Sequence, residues 1–223
     1  MKITLQRVAP AEIEARSMEI IGAELGARSF PADQLPVVKR VIHTSADFDY
    51  ADNLVFSEGA VARGIAAVKG GCTIVTDTQM AWSGVNKRVL EKFGGRAVCF
   101  MSDPDVAAEA KARGETRATV SMERAAALEG SVIFAIGNAP TALLTIAEKI
   151  ENGLRPALVI GVPVGFVNVV ESKERLFAVC ESHGVPAIVA MGRKGGSNVA
   201  AAICNALIYS AAEMLDPTAR GWK

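Results

Sequence analysis

At 223 residues, half of them hydrophobic and only 5% aromatic, the chain is long enough to bury a core without disulfide or metal staples, and it reads as one domain, residues 1–223. Lysines plus arginines equal aspartates plus glutamates at 24 each, which argues against nucleic acid or an anionic membrane surface as partner. Four scattered cysteines (Cys72, Cys99, Cys180, Cys204) show no metal-ligand spacing and read as reduced thiols. The start, Met1–Arg7, has no signal-peptide core, and Gly, Pro or Asn breaks each long apolar tract. A cytoplasmic, non-membrane protein is expected.

In chain order, Ala11–Leu25 has the pattern of an amphipathic helix, and Val37–His43 reads as a first buried strand. Cys72–Asp77 is the second strand, followed by helical spacing over Met80–Phe93 that stops at Gly94-Gly95. Arg96–Met101 is the third strand, and Asp103-Pro104 opens a helix over Asp105–Arg113. Strands at Val132–Ile136, Ala157–Val162 and Pro186–Met191 alternate with helices at Thr141–Asn152 and Ser172–His183. Strand runs that are apolar on both faces, alternating with helices, predict an α/β fold of three layers (α/β/α): a mostly parallel sheet with helices on both faces. The last helix, Ser197–Leu215, is apolar almost all round and therefore buried, either under other helices or against a second subunit.

Parallel strands send their carboxyl ends to one rim, where α/β folds bind ligands. There the sequence places His43-Thr44-Ser45, Asp77-Thr78-Gln79-Met80, Gly137-Asn138-Ala139-Pro140-Thr141, Pro163–Asn168 and Gly192–Asn198. The last is the richest. Gly195 and Gly196 let a ligand approach the main chain, Ser197 and Asn198 suit a helix start with free N–H groups, and Arg193 and Lys194 add charge. Together they fit a carboxylate or phosphate, or else form a structural turn with solvated charges. The loop matches neither a P-loop nor a dinucleotide fingerprint, so no nucleotide cofactor is expected. His43 is one of two histidines; His183 falls in the last turn of a helix, where a cation suits the helix dipole. With no triad order or zinc spacing, His43 points to acid–base chemistry, or to a hydrogen-bonded structural residue.

These blocks resemble the precorrin-8X (cobalt-precorrin-8) methylmutase family of cobalamin biosynthesis over almost the whole chain. The likeness runs through Ile13–Met18, His43–Asp47, Thr76–Met80, Gly137–Thr141, Gly161–Val167 and Gly192–Ser197. The resemblance implies a homodimeric isomerase of three-layer α/β fold that moves a methyl group from C11 to C12 on ring C of a corrinoid, giving hydrogenobyrinate or its cobalt counterpart. It implies His43 as proton donor and acceptor, with Ser17 and Arg40 at substrate-binding positions. No cofactor and no protein-bound metal are expected. Arg117, Arg193, Lys194 and the turn Gly195, Gly196, Ser197 and Asn198 are the candidate ligands for the acid substituents of the macrocycle, and Thr78 and Asn138 are further substrate-binding candidates; Arg117 also suits a solvated surface. Arg40, three positions from His43 on a regular strand, faces away from it; either the strand stops short of His43 or Arg40 serves a neighbouring subunit. A non-catalytic tetrapyrrole carrier is the alternative reading.

Overall fold

The computed structural model describes residues 6–217. Two helices come first, α1 (Ile13–Leu25) and α2 (Leu35–Ser45), followed by the single turn α3 (Tyr50–Asn53) and a short strand β1 (Leu54–Phe56). Then follow α4 (Ala60–Lys69), β2 (Thr73–Thr76), α5 (Gln79–Gly84), α6 (Lys87–Leu90) and β3 (Arg96–Val98). The chain continues through α7 (Pro104–Arg113), α8 (Arg117–Ala126), β4 (Val132–Ile136), α9 (Pro140–Glu151) and β5 (Leu158–Gly161). It closes with α10 (Val169–Ser182), β6 (Ala187–Ala190) and α11 (Ser197–Ala211). The sheet order is β1-β6-β5-β4-β2-β3, parallel throughout except for β1, which pairs antiparallel with β6.

Alternation along the strands builds a core on each face of the sheet. Ile133 and Ala135 of β4, Leu158 and Ile160 of β5, and Ile188 and Ala190 of β6 face the helices α1, α2, α4 and α11. Their neighbours Phe134, Ile136, Val159 and Val189 face α8, α9 and α10. This is the expected three-layer architecture. Helix α11 lies against α2, α4 and α5 of the same chain, which buries residues all round it. Cys72, Cys180 and Cys204 are free and buried in these cores, where burial pushes the Cys72 thiol up to about 11. Among the described residues no helix is long and apolar enough to cross a membrane.

The segment Val37–His43, expected as a strand, is instead the body of α2. Val37, Val38, Val41 and Ile42 are its buried residues, and steps of one, three and one put them on one side of a helix. Their β-branched chemistry imitates a strand, but packing against α1 and α11 decides the outcome. Met80–Phe93 is likewise not one helix: Val85 is extended, and Asn86 starts α6 by accepting from the Val89 amide. Strand β1 and helices α4 and α8 lie where no regular element was expected.

Candidate active site

The carboxyl ends of β2 to β6 share one edge of the sheet. Because β1 runs the opposite way, its start belongs to that edge too: Leu54 pairs with Ala190, and the Met191 amide donates to the Asn53 carbonyl at 2.8 Å. The end of α2 is thereby delivered to the rim. His43 reaches the rim as the last-turn residue of a helix, not as the end of a strand.

His43 is exposed, and its Nδ1 lies 2.8 Å from Ser17 Oγ of α1. One turn earlier, Arg40 donates to Glu14 Oε1 at 2.6 Å and holds its guanidinium 4.8 Å from the centre of the buried Tyr209 ring. On a helix, residues three apart share a face, so the expected opposition of Arg40 and His43 is corrected: they stand side by side on α2. Glu14 and Ser17 have the same spacing on α1. The two helices are joined by a double rung, Glu14–Arg40 and Ser17–His43.

His43 borders two cavities. The larger, about 630 Å³, is lined by Ile13, Arg16, Ser17, Ile20 and Phe48 among others. The smaller, about 300 Å³, adds Arg40, Met80, Asn198, Ala201 and Asn205. The larger lies within the range of small-molecule sites, roughly 300–1,000 Å³. The walls are largely apolar, with Arg16, Ser17, Glu24 and His43 among the polar groups of the larger cavity and Arg40, Thr44, Asn198 and Asn205 among those of the smaller.

The other rim residues form a second group that lines neither cavity. Its centre is Asp77, fully buried, whose carboxylate accepts from the amides of Gly137, Asn138 and Ala139 at 2.9, 2.8 and 2.7 Å. Burial pushes the Asp77 pKa up, and the three N–H bonds oppose that rise. Thr78 accepts from the Ala81 amide at 3.0 Å, and its hydroxyl is hydrogen-bonded to that of Ser197 at 2.7 Å. Gly137 is required here, because a Cβ would stand 2.7 Å from Ser197 Cα. At Gly195 a Cβ would collide with the Val162 and Pro163 carbonyl oxygens.

Gly196 and Ser197 are buried, and the Ser197 hydroxyl is committed to Thr78. Lys194, expected as a substrate cation, bridges Asp47 and Asp49 at 2.6 Å each, which holds its pKa above the usual lysine range. That bridge ties the glycine-rich turn to the segment just past His43. Arg193 is exposed, 5.7 Å over the Phe166 ring. Asn138 is exposed and uses its amide on Asp77. Arg117 sits beyond β4, at the start of α8, within 3.5 Å of the Met101 carbonyl that follows β3. The structure thus gathers Ser17, Arg40 and His43, sets the glycine-rich turn beside them, and leaves Arg117 at the far end of the rim. Sequence reasoning missed Glu14 and the anchoring role of Asp77. The Glu14/Ser17 and Arg40/His43 spacings were the available signal, hidden by the strand assignment.

A comparison with protein-family models matches residues 12–210 to precorrin-8X methylmutase. The chain is 47% identical to the cobalt-precorrin-8 methylmutase of Priestia megaterium over 201 residues, covering 90% of this chain and 88% of that one. It is 44% identical to the precorrin-8X methylmutase of Pseudomonas aeruginosa, covering 87% and 93%. The fold resembles the crystal structure of precorrin-8x methyl mutase from Thermus thermophilus, with a TM-score of 0.82 and 41% identity over 91% of this chain and 98% of that one. On the family match, these identities and the shared architecture, the chain belongs to the precorrin-8X methylmutase family.

Proposed function

We propose that this chain moves a methyl group from C11 to C12 on ring C of a precorrin-8-type corrinoid, with His43 giving and retaking the proton that the shift requires. The carrying observation is the 2.8 Å contact between Ser17 Oγ and His43 Nδ1 beside the larger cavity. When the ring is doubly protonated, Nδ1–H donates to Ser17 and Nε2–H is the proton to be transferred. Passing that proton to a ring nitrogen of the substrate makes the macrocycle more electron-poor and promotes methyl migration. In the tautomer whose Nδ1–H donates to Ser17, Nε2 is the atom that takes the proton back. One residue serves as acid and base, and no atom is gained or lost.

The acid substituents are met by cations at the rim. Arg16 and Arg40 line the two cavities, with Arg193 exposed on the neighbouring turn. Relatives carry both the cobalt and the cobalt-free name at 47% and 44% identity, so the proposal names the macrocycle with or without the metal. A homodimer belongs to this reading: Ile13 (57% exposed) and Met80 (70% exposed) flank the cavities and offer a second copy apolar surface. The compartment proposed is the cytoplasm, where free cysteines stay reduced.

The test is absorbance-monitored conversion of excess precorrin-8X and of cobalt-precorrin-8. Many turnovers per chain are expected with at least one of them, and a yield fixed at one product per chain would make the protein a carrier. His43→Asn is expected to fold and bind the corrinoid while losing 10²–10⁴-fold in rate, the usual scale of general acid–base catalysis. Near-normal turnover by that variant removes His43 from the chemistry.

A further inference from the structure

Lys173, in the second turn of α10, is fully buried. Withdrawing an ammonium from water is unfavourable unless its charge is compensated. No carboxylate among the described residues neutralises it, and burial pushes its pKa down to about 8. What it has instead are two main-chain acceptors: its Nζ donates to the carbonyl oxygens of Gly192 and Lys194, both at 2.8 Å.

Those two carbonyls bracket Arg193. The Arg193 carbonyl accepts from the Gly165 amide at 3.2 Å, and the Gly196 amide donates to the Val162 carbonyl at 2.9 Å. Three consecutive carbonyls, of residues 192, 193 and 194, are therefore engaged from within the protein. Glycines with φ of 75° at 192 and 144° at 196 supply the backbone shape that this needs. With its main chain held on the inner side, the turn carries Arg193 outward, over the 84%-exposed Phe166.

We infer that Lys173 is a positioning residue for substrate binding: it clamps the carbonyls on either side of Arg193, so that the guanidinium is presented at the rim to an acid substituent of the substrate. The inference rests on the corrinoid reading above for the identity of that anion. The clamp itself stands on geometry alone.

The experiment compares the wild-type enzyme with Lys173→Met, an apolar chain of similar length, with Arg193→Ala, and with the double variant. Hydrogen exchange over residues 192–197, without substrate, is expected to quicken at least tenfold in Lys173→Met while the melting temperature stays close to wild type. Steady-state kinetics are expected to show KM raised about fivefold to tenfold with kcat within twofold. In the Arg193→Ala background the Lys173 substitution is expected to add nothing further, since double-mutant cycles expose residues that act through one another. Unchanged exchange overturns the clamp. Unchanged KM, multiplying effects in the double variant, or a fall in stability and kcat at constant KM overturns the positioning role. Should Lys173→Met not fold, Lys173→Arg carries the same cycle, its bulkier head displacing the turn. Failure of the corrinoid reading would show separately, as absence of turnover by the wild-type chain.

Discussion

The two halves of the rim are built on opposite plans. Around His43, side chains meet side chains across two half-buried helix faces, with cavities beside them. Around Asp77 and the glycine-rich turn, side chains meet backbone, and Asp77, Lys173 and Ser197 are committed inside the protein. The first plan leaves side chains bordering the cavities, as the proposed proton exchange requires. The second holds loops from four strands in fixed register and presents few open groups. The reactive site proposed on α1 and α2 would therefore borrow its precision from a scaffold whose polar side chains are committed within the fold.

That contrast is sharpest at Asp77. Asp77→Ala orphans three amides at once; each buried donor left without a partner costs about 1–3 kcal/mol, so a loss of roughly 3–5 kcal/mol is expected in urea denaturation. Wild-type stability would mean that the Gly137–Ala139 turn holds itself. Lys173 gives the next effect, through pH. Its folded pKa of about 8 lies below the ordinary 10.5, so between these values the unfolded chain retains a proton that the folded chain has shed. Stability should then rise with pH across that window relative to Lys173→Met, by roughly 2 kcal/mol between pH 7.5 and 9.5. Below pH 8 the offset should be flat. A parallel pair of stability curves would remove the lysine from the balance.

On the open side, Ser17→Ala takes away the partner of His43 Nδ1. A neutral hydrogen bond of about 1–1.5 kcal/mol corresponds to about a tenfold fall in kcat, with folding unaffected. An unchanged kcat would show that the imidazole is oriented by something else. The smallest change is expected at Lys194, whose charge is already answered by Asp47 and Asp49 in a solvent-facing cluster. Lys194→Met should alter KM by less than about threefold; a tenfold rise would make it a direct substrate ligand and blur the distinction between the two plans.

Much of this architecture is legible from the chain. Val132–Ile136 is apolar at every position and is a central strand with the bounds read from sequence. The strands at 73–76, 158–161 and 187–190 are trimmed versions of the runs that announce them. The misreading of residues 37–43 has a physical cause: four β-branched residues satisfy a strand's preference and a helix's spacing together, and only the neighbours α1 and α11 arbitrate. Strand β1 is invisible because three residues carry no period; its pairing with β6, more than 130 positions on, makes it a strand. The same locality limit hid Lys173, whose partners lie 19 and 21 residues away in a different element. His43 stands out from its place in the chain, Ser17 and Arg40 only from family likeness, and the mutual geometry of the three only with the helix.

Both outermost strands of the sheet, Leu54–Phe56 and Arg96–Val98, are only three residues long. Exposed strand edges recruit other chains, and natural proteins blunt them by shortening. Among the described residues, each flank offers a ladder of only three residues to an incoming strand. The protein should therefore tolerate high concentration better than its hydrophobic composition alone would predict.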